Sequence, residues 1–125
     1  MQLSQKWVMV FRITTVAAFL VVCYFAFTPQ AFKGAHIAHI DKVYHLITFA
    51  VLFFLLDYSF PHSNINWKKI TPLIIFALGI EVVQSRLPYR DFSLYDFGAD
   101  LAGMGLYLLF IPVLRRLPLL RERWV

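Results

Sequence analysis

Asp41 and His45 stand four residues apart, as do Asp96 and Asp100, while Glu81 and Gln84 stand three apart. On a helix, each of these spacings puts both side chains on one face. Carboxylates beside an imidazole do two kinds of chemistry: they move protons as general base and acid, or they offer oxygen and nitrogen ligands to Mg, Mn or Zn. The stretch before Asp96 adds Arg86, Arg90, Asp91 and Ser93, of which the two cations and the hydroxyl suit an anionic ligand. Glu81, His45 and Asp96 are therefore the candidate catalytic groups. Asp41, Lys42, Gln84, Arg90, Ser93 and Asp100 are the candidate ligand contacts. If a divalent metal is held, Asp41, His45, Glu81, Asp96 and Asp100 are its donors, although no specific metal motif is present. There is no nucleophile elbow, no phosphate loop and no paired His-x-x-x-His. The single cysteine, Cys23, excludes an intrachain disulfide and a thiolate metal cluster.

The elements that must position these residues are written in the hydropathy. Of 125 residues, 60% are hydrophobic and 15% charged, against about 45–50% and about 25% in soluble chains. The excess apolar surface needs lipid to cover it. Apolar runs at about 8–27, 43–60, 70–87 and 97–114 are each close to the roughly 20 residues that cross a bilayer core. The expected fold is an all-α membrane protein, one domain over residues 1–125, built as a bundle of four transmembrane helices. A cleaved signal peptide is the competing reading of the first run. Its apolar region would be shorter and followed by an A-x-A-like site, which Phe27-Thr28-Pro29-Gln30 is not. The closing residues 117–125 are too few to cross and are expected along the membrane surface.

The net charge of +5 does not indicate nucleic acid, because the cations flank apolar runs instead of forming a stripe on a polar domain. Lys6, Arg12, Lys68, Lys69, Arg115, Arg116, Arg121 and Arg123 fall on one side, against Lys33, Lys42, Arg86 and Arg90 on the other. The positive-inside rule then puts both termini in the cytoplasm, and Trp7, Trp67 and Trp124 on that side agree as interfacial anchors. On this topology, five of the seven acidic residues gather toward the outer end of the bundle. Ionisable groups at membrane depth point inward to partners or water.

Each residue also has a plainer reading. Asp41 and Asp96 stand where a carboxylate caps a helix start. His45 suits an interfacial hydrogen bond, and Arg86 and Lys33 suit solvated loops. Glu81 is harder to read that way, since a carboxylate inside Ile74 to Leu87 is costly unless paired, neutralised or functional, and Arg90 is its expected counter-ion. Ala99 and Gly103 form a small-xxx-small pair that lets helices approach closely. That approach is expected to bring Asp100 near Glu81, with Gly79 acting likewise on the third helix.

The order Asp41-Lys42-x-x-His45, Gly79-Ile80-Glu81-x-x-Gln84, then Arg90-x-x-Ser93-x-x-Asp96-x-x-x-Asp100-x-x-Gly103 resembles the VanZ-like family of bacterial membrane proteins over about residues 38–110. Asp100 departs from the pattern, which usually has Asn there. The resemblance implies a multi-pass protein of the bacterial inner membrane. The family's founding member is associated with reduced susceptibility to teicoplanin. The expected function is binding or modifying a membrane lipid or lipid-linked envelope precursor at the outer half of the membrane, with an effect on glycopeptide susceptibility. Two alternatives stand beside it: a hydrolase or transferase with a carboxylate and histidine site, with or without a metal, and a non-catalytic subunit of a homo-oligomer or of a membrane partner protein.

Overall fold

Where side chains are apolar for twenty residues, the backbone has only itself to hydrogen-bond with once water is gone, and a helix satisfies it. The computed structural model of the protein describes residues 3–28, 40–88 and 94–124, and the side chains of all of these but 40 and 41. Among the described residues there are four α-helices: α1 Gln5–Phe27, α2 Ile40–Ser59, α3 Trp67–Ser85 and α4 Leu94–Leu114. A short 3-10 helix, Leu120–Trp124, follows. Each α-helix begins three residues before its apolar run, because the polar first turn is helical as well. The third ends two residues earlier than its run, since Leu87 precedes Pro88 and a residue before proline avoids the helical region. Asn66 caps the start of α3, its side chain accepting from the Lys68 amide at 3.0 Å.

Among the described residues, three helices are long and apolar enough to cross a membrane: α1, Lys42–Ser59 within α2, and α4. The fourth, α3, carries Lys68, Lys69 and Glu81. Large apolar side chains point outward along the bundle, among them Ile13, Leu20, Ile75 and Leu109, the last 77% exposed. Water would not tolerate that surface; lipid would.

The centre of the bundle is α2, which packs most closely on α4 and then on α1. Phe49, Leu52 and Phe53 of α2 meet Leu73, Ala77 and Ile80 of α3 and Met104 and Tyr107 of α4 in one buried cluster. On α2 this stripe runs His45, Phe49, Phe53, Asp57, and on α3 it runs Lys69, Leu73, Ala77, Glu81. Steps of four keep a stripe on one face. Both stripes are apolar in the middle and polar at the ends, and in both the end residues stand twelve positions apart, roughly 18 Å of helix. The helices run in opposite directions, so the polar ends meet in two separate clusters.

Gly103 sets the crossing of α2 and α4. A Cβ there would collide with the Leu46 carbonyl and come within 3.1 Å of the Ala50 amide nitrogen. The expected small-residue contact is therefore real, but its partner is α2. It brings Asp100 to His45, whose Nδ1 lies 2.7 Å from the carboxylate. Gly79 makes no comparable approach, with nothing within 4 Å of a Cβ added to it.

Candidate functional site

The first polar cluster forms where the starts of α2 and α4 meet the end of α3. His45, one turn into α2, faces the first two turns of α4. Its Nδ1 lies 2.7 Å from Asp100 Oδ1 and its Nε2 lies 3.6 Å from Asp96 Oδ2. Lys42, one turn earlier, reaches Asp96 Oδ1 at 3.3 Å. The fully buried Glu81 enters from α3. One ligand atom each from His45, Glu81 and Asp96 lie within 4.8 Å of one another.

The environments of these groups differ. Asp100 is 0% exposed, while His45 is 20% and Lys42 29% exposed at the side chain. The cluster thus has a sealed wall at Asp100 and Glu81 and an open side at Lys42. Asp100 Oδ2 is buried with no hydrogen-bond partner among the described residues. A carboxylate on Nδ1 fixes both the ring orientation and the tautomer of a histidine, leaving Nε2 for a proton or another electrophile. Asp96 in the first turn of α4 also sits favourably for the helix dipole, so its structural and chemical readings apply together.

Of the residues expected here, His45, Glu81, Asp96, Asp100 and Lys42 come together. Gln84 is engaged elsewhere, its amide donating to the Ala26 carbonyl at 2.8 Å and so tying α3 to the last turn of α1. The Asp41 side chain, Arg90 and Ser93 lie outside the described residues, and with them the expected Arg90 counter-ion.

A second cluster, which no sequence spacing announces, occupies the opposite end of the bundle. Asp57 of α2 is fully buried, and its Oδ1 accepts from Lys69 Nζ at 2.7 Å and from Arg123 Nη2 at 3.0 Å. Its Oδ2 accepts from the Tyr107 hydroxyl at 2.6 Å. Lys69 spends its remaining donors on the Phe60 and Ser63 carbonyls at 2.9 and 2.6 Å, and Arg123 also reaches Ser63 at 2.8 Å. The closing segment, expected along the membrane surface, folds back over the bundle end. There Arg123 is buried, Tyr58 donates to the Leu120 carbonyl at 3.0 Å, and Trp124 donates to the Tyr58 hydroxyl at 3.3 Å. Arg12 joins from α1, donating to the Ser59 carbonyl at 3.0 Å. Both oxygens of the Asp57 carboxylate are engaged by side chains of this cluster, so it ties α2, α3, α4 and the closing segment together.

No family model matches the chain, and no solved structure matches it. It is 40% identical over 72 residues to an uncharacterized protein of the fission yeast Schizosaccharomyces pombe, a stretch covering 55% of this chain and 44% of that protein. The chain thus spans less than half the length of the curated relative it matches.

Proposed function

We propose that this protein is a VanZ-like bundle of four transmembrane helices with both termini on the cytoplasmic side, binding or modifying the headgroup of a membrane lipid or lipid-linked envelope molecule. One observation carries this reading: three helices of a lipid-facing bundle deliver His45, Glu81, Asp96, Asp100 and Lys42 to the same end. Polar groups at membrane depth are retained where they face a ligand, an ion or each other. The open side at Lys42 admits a headgroup, and the lipid-facing helices flank its acyl chains. On this reading the protein sits in the inner membrane of a bacterium and alters glycopeptide susceptibility. The fission yeast similarity is to a protein of unstated activity and supplies no location.

Native mass spectrometry in mild detergent tests the proposal. Wild type is expected to retain an anionic lipid or lipid-linked adduct that both Glu81→Gln and Lys42→Ala lose. Equal retention of all lipids by wild type and both variants would overturn it.

The 2.7 Å contact between His45 Nδ1 and Asp100 supports a second reading, a hydrolase or transferase. A histidine oriented in this way serves as a general base, and Glu81 and Asp96 would bind or polarise the reacting group. Turnover of a phosphate or acyl ester that His45→Gln abolishes in a folded protein would favour catalysis over binding.

A further inference from the structure

We infer that His45 Nε2, Glu81 and Asp96 bind one divalent cation, Zn2+ or Mn2+, with Asp100 as the group that orients the histidine. This inference deepens the site on which the proposed function rests, but it stands on its own geometry. His45 Nε2 and Asp96 Oδ2 face each other at 3.6 Å. With the ring proton on Nδ1 toward Asp100, both are acceptors, and an ion between them would be held by both. Metal bonds of about 2.1 Å in tetrahedral arrangement separate neighbouring ligand atoms by about 3.4 Å, close to the distance observed. Glu81 brings a third donor from a different helix, all three within 4.8 Å.

The surroundings match what such an ion requires. Histidines that ligate metals almost always give their other ring nitrogen to a carboxylate or carbonyl, and His45 Nδ1 lies 2.7 Å from Asp100 Oδ1. Glu81 and Asp100 are both 0% exposed, and carboxylates at membrane depth are retained where they face a partner or an ion. Nitrogen and carboxylate oxygen donors without thiolate suit Zn2+ or Mn2+.

The test is metal content of the full chain in mild detergent, stripped with chelator and reloaded with Zn2+, Mn2+ or Co2+. Inductively coupled plasma mass spectrometry reads the stoichiometry, and the visible spectrum of the Co2+ form reads the ligand field. Wild type should hold one ion per chain, and His45→Gln and Glu81→Gln should lose it. Asp100→Asn should bind roughly 10- to 100-fold more weakly, as expected for a group that acts through the ligand. Gln84→Ala, which loses only the tie to α1, should keep the ion and controls for general loosening of the bundle. A wild type without stoichiometric metal, or His45→Gln binding as wild type does, would overturn the inference. Lipid adducts measured on the same samples separate the two ideas: adducts without metal remove this inference alone, and metal without adducts removes the lipid reading alone.

Discussion

Asp57 shows how a single residue can decide whether a membrane bundle holds. Its two oxygens accept from Lys69, Arg123 and Tyr107, joining α2, α3, α4 and the closing segment. Removing one partner from a buried ion pair leaves the others desolvated and uncompensated, a loss of about 3–5 kcal/mol. Asp57→Ala is expected to lower the thermal midpoint in detergent strongly, as read by fluorescence-monitored unfolding. Tyr107→Phe removes only a hydroxyl and leaves one carboxylate oxygen without its donor, about 1–3 kcal/mol, so its shift should be smaller. If the two variants melt alike, the ion pairs contribute little. This cluster was hidden in the sequence because its members stand on four elements with no local spacing to link them. A signal was nevertheless there: Asp57 is a carboxylate within an apolar run, as Glu81 is, and such residues need a partner. The site at the other end was legible because Asp41 with His45, and Asp96 with Asp100, each repeat a helical spacing at the start of a helix.

At the scale of helices, the small-xxx-small pair on α4 was legible as a close contact, but not as a contact with α2. Sequence spacing fixes the face a residue shares, not the neighbour that face meets. Gly103 is where this can be tested. Replacing glycine by alanine inside a helix ordinarily helps by up to about 1 kcal/mol. Gly98→Ala and Gly105→Ala, with nothing within 4 Å of the added carbon, are therefore expected to be neutral or mildly stabilising. At Gly103 the new carbon meets the backbone of Leu46 and Ala50, which has no rotamer to escape into. The strain of overpacking, typically about 1–3 kcal/mol, exceeds the gain. Gly103→Ala should lower the thermal midpoint. Because His45 and Asp100 sit within one turn of this crossing, it should also weaken whatever the site binds. A Gly103→Ala protein that melts and binds as wild type would mean α2 and α4 cross elsewhere.

For the whole molecule, the open question is whether the chain crosses the membrane three times or four. Composition favours α1, α2 and α4, and α3 falls behind because of Lys68, Lys69 and Glu81. The packing changes that accounting. Lys69 is neutralised by Asp57 at 2.7 Å, and Glu81 is enclosed with His45 and Asp96, so neither charge faces lipid. The two ends of the described chain also meet: Leu3 and Val8 share a buried cluster with Tyr58, Leu119 and Leu120, and Arg12 and Arg123 both bind near the end of α2. An odd number of crossings would put the termini on opposite sides and pull this cluster apart. The cations agree with a cytoplasmic position for that end, even though Lys69 and Arg123 are buried in pairs, because Lys6, Lys68, Arg115, Arg116 and Arg121 remain around it. Reporters that are active on only one side of the membrane, fused in turn to the N-terminus and after Val125, should therefore both report the cytoplasm. Termini on opposite sides would rule out α3 as a span. Termini both outside would keep four spans and move His45 and Glu81 to the cytoplasmic leaflet, where the molecule bound would have to be one made or displayed on that face.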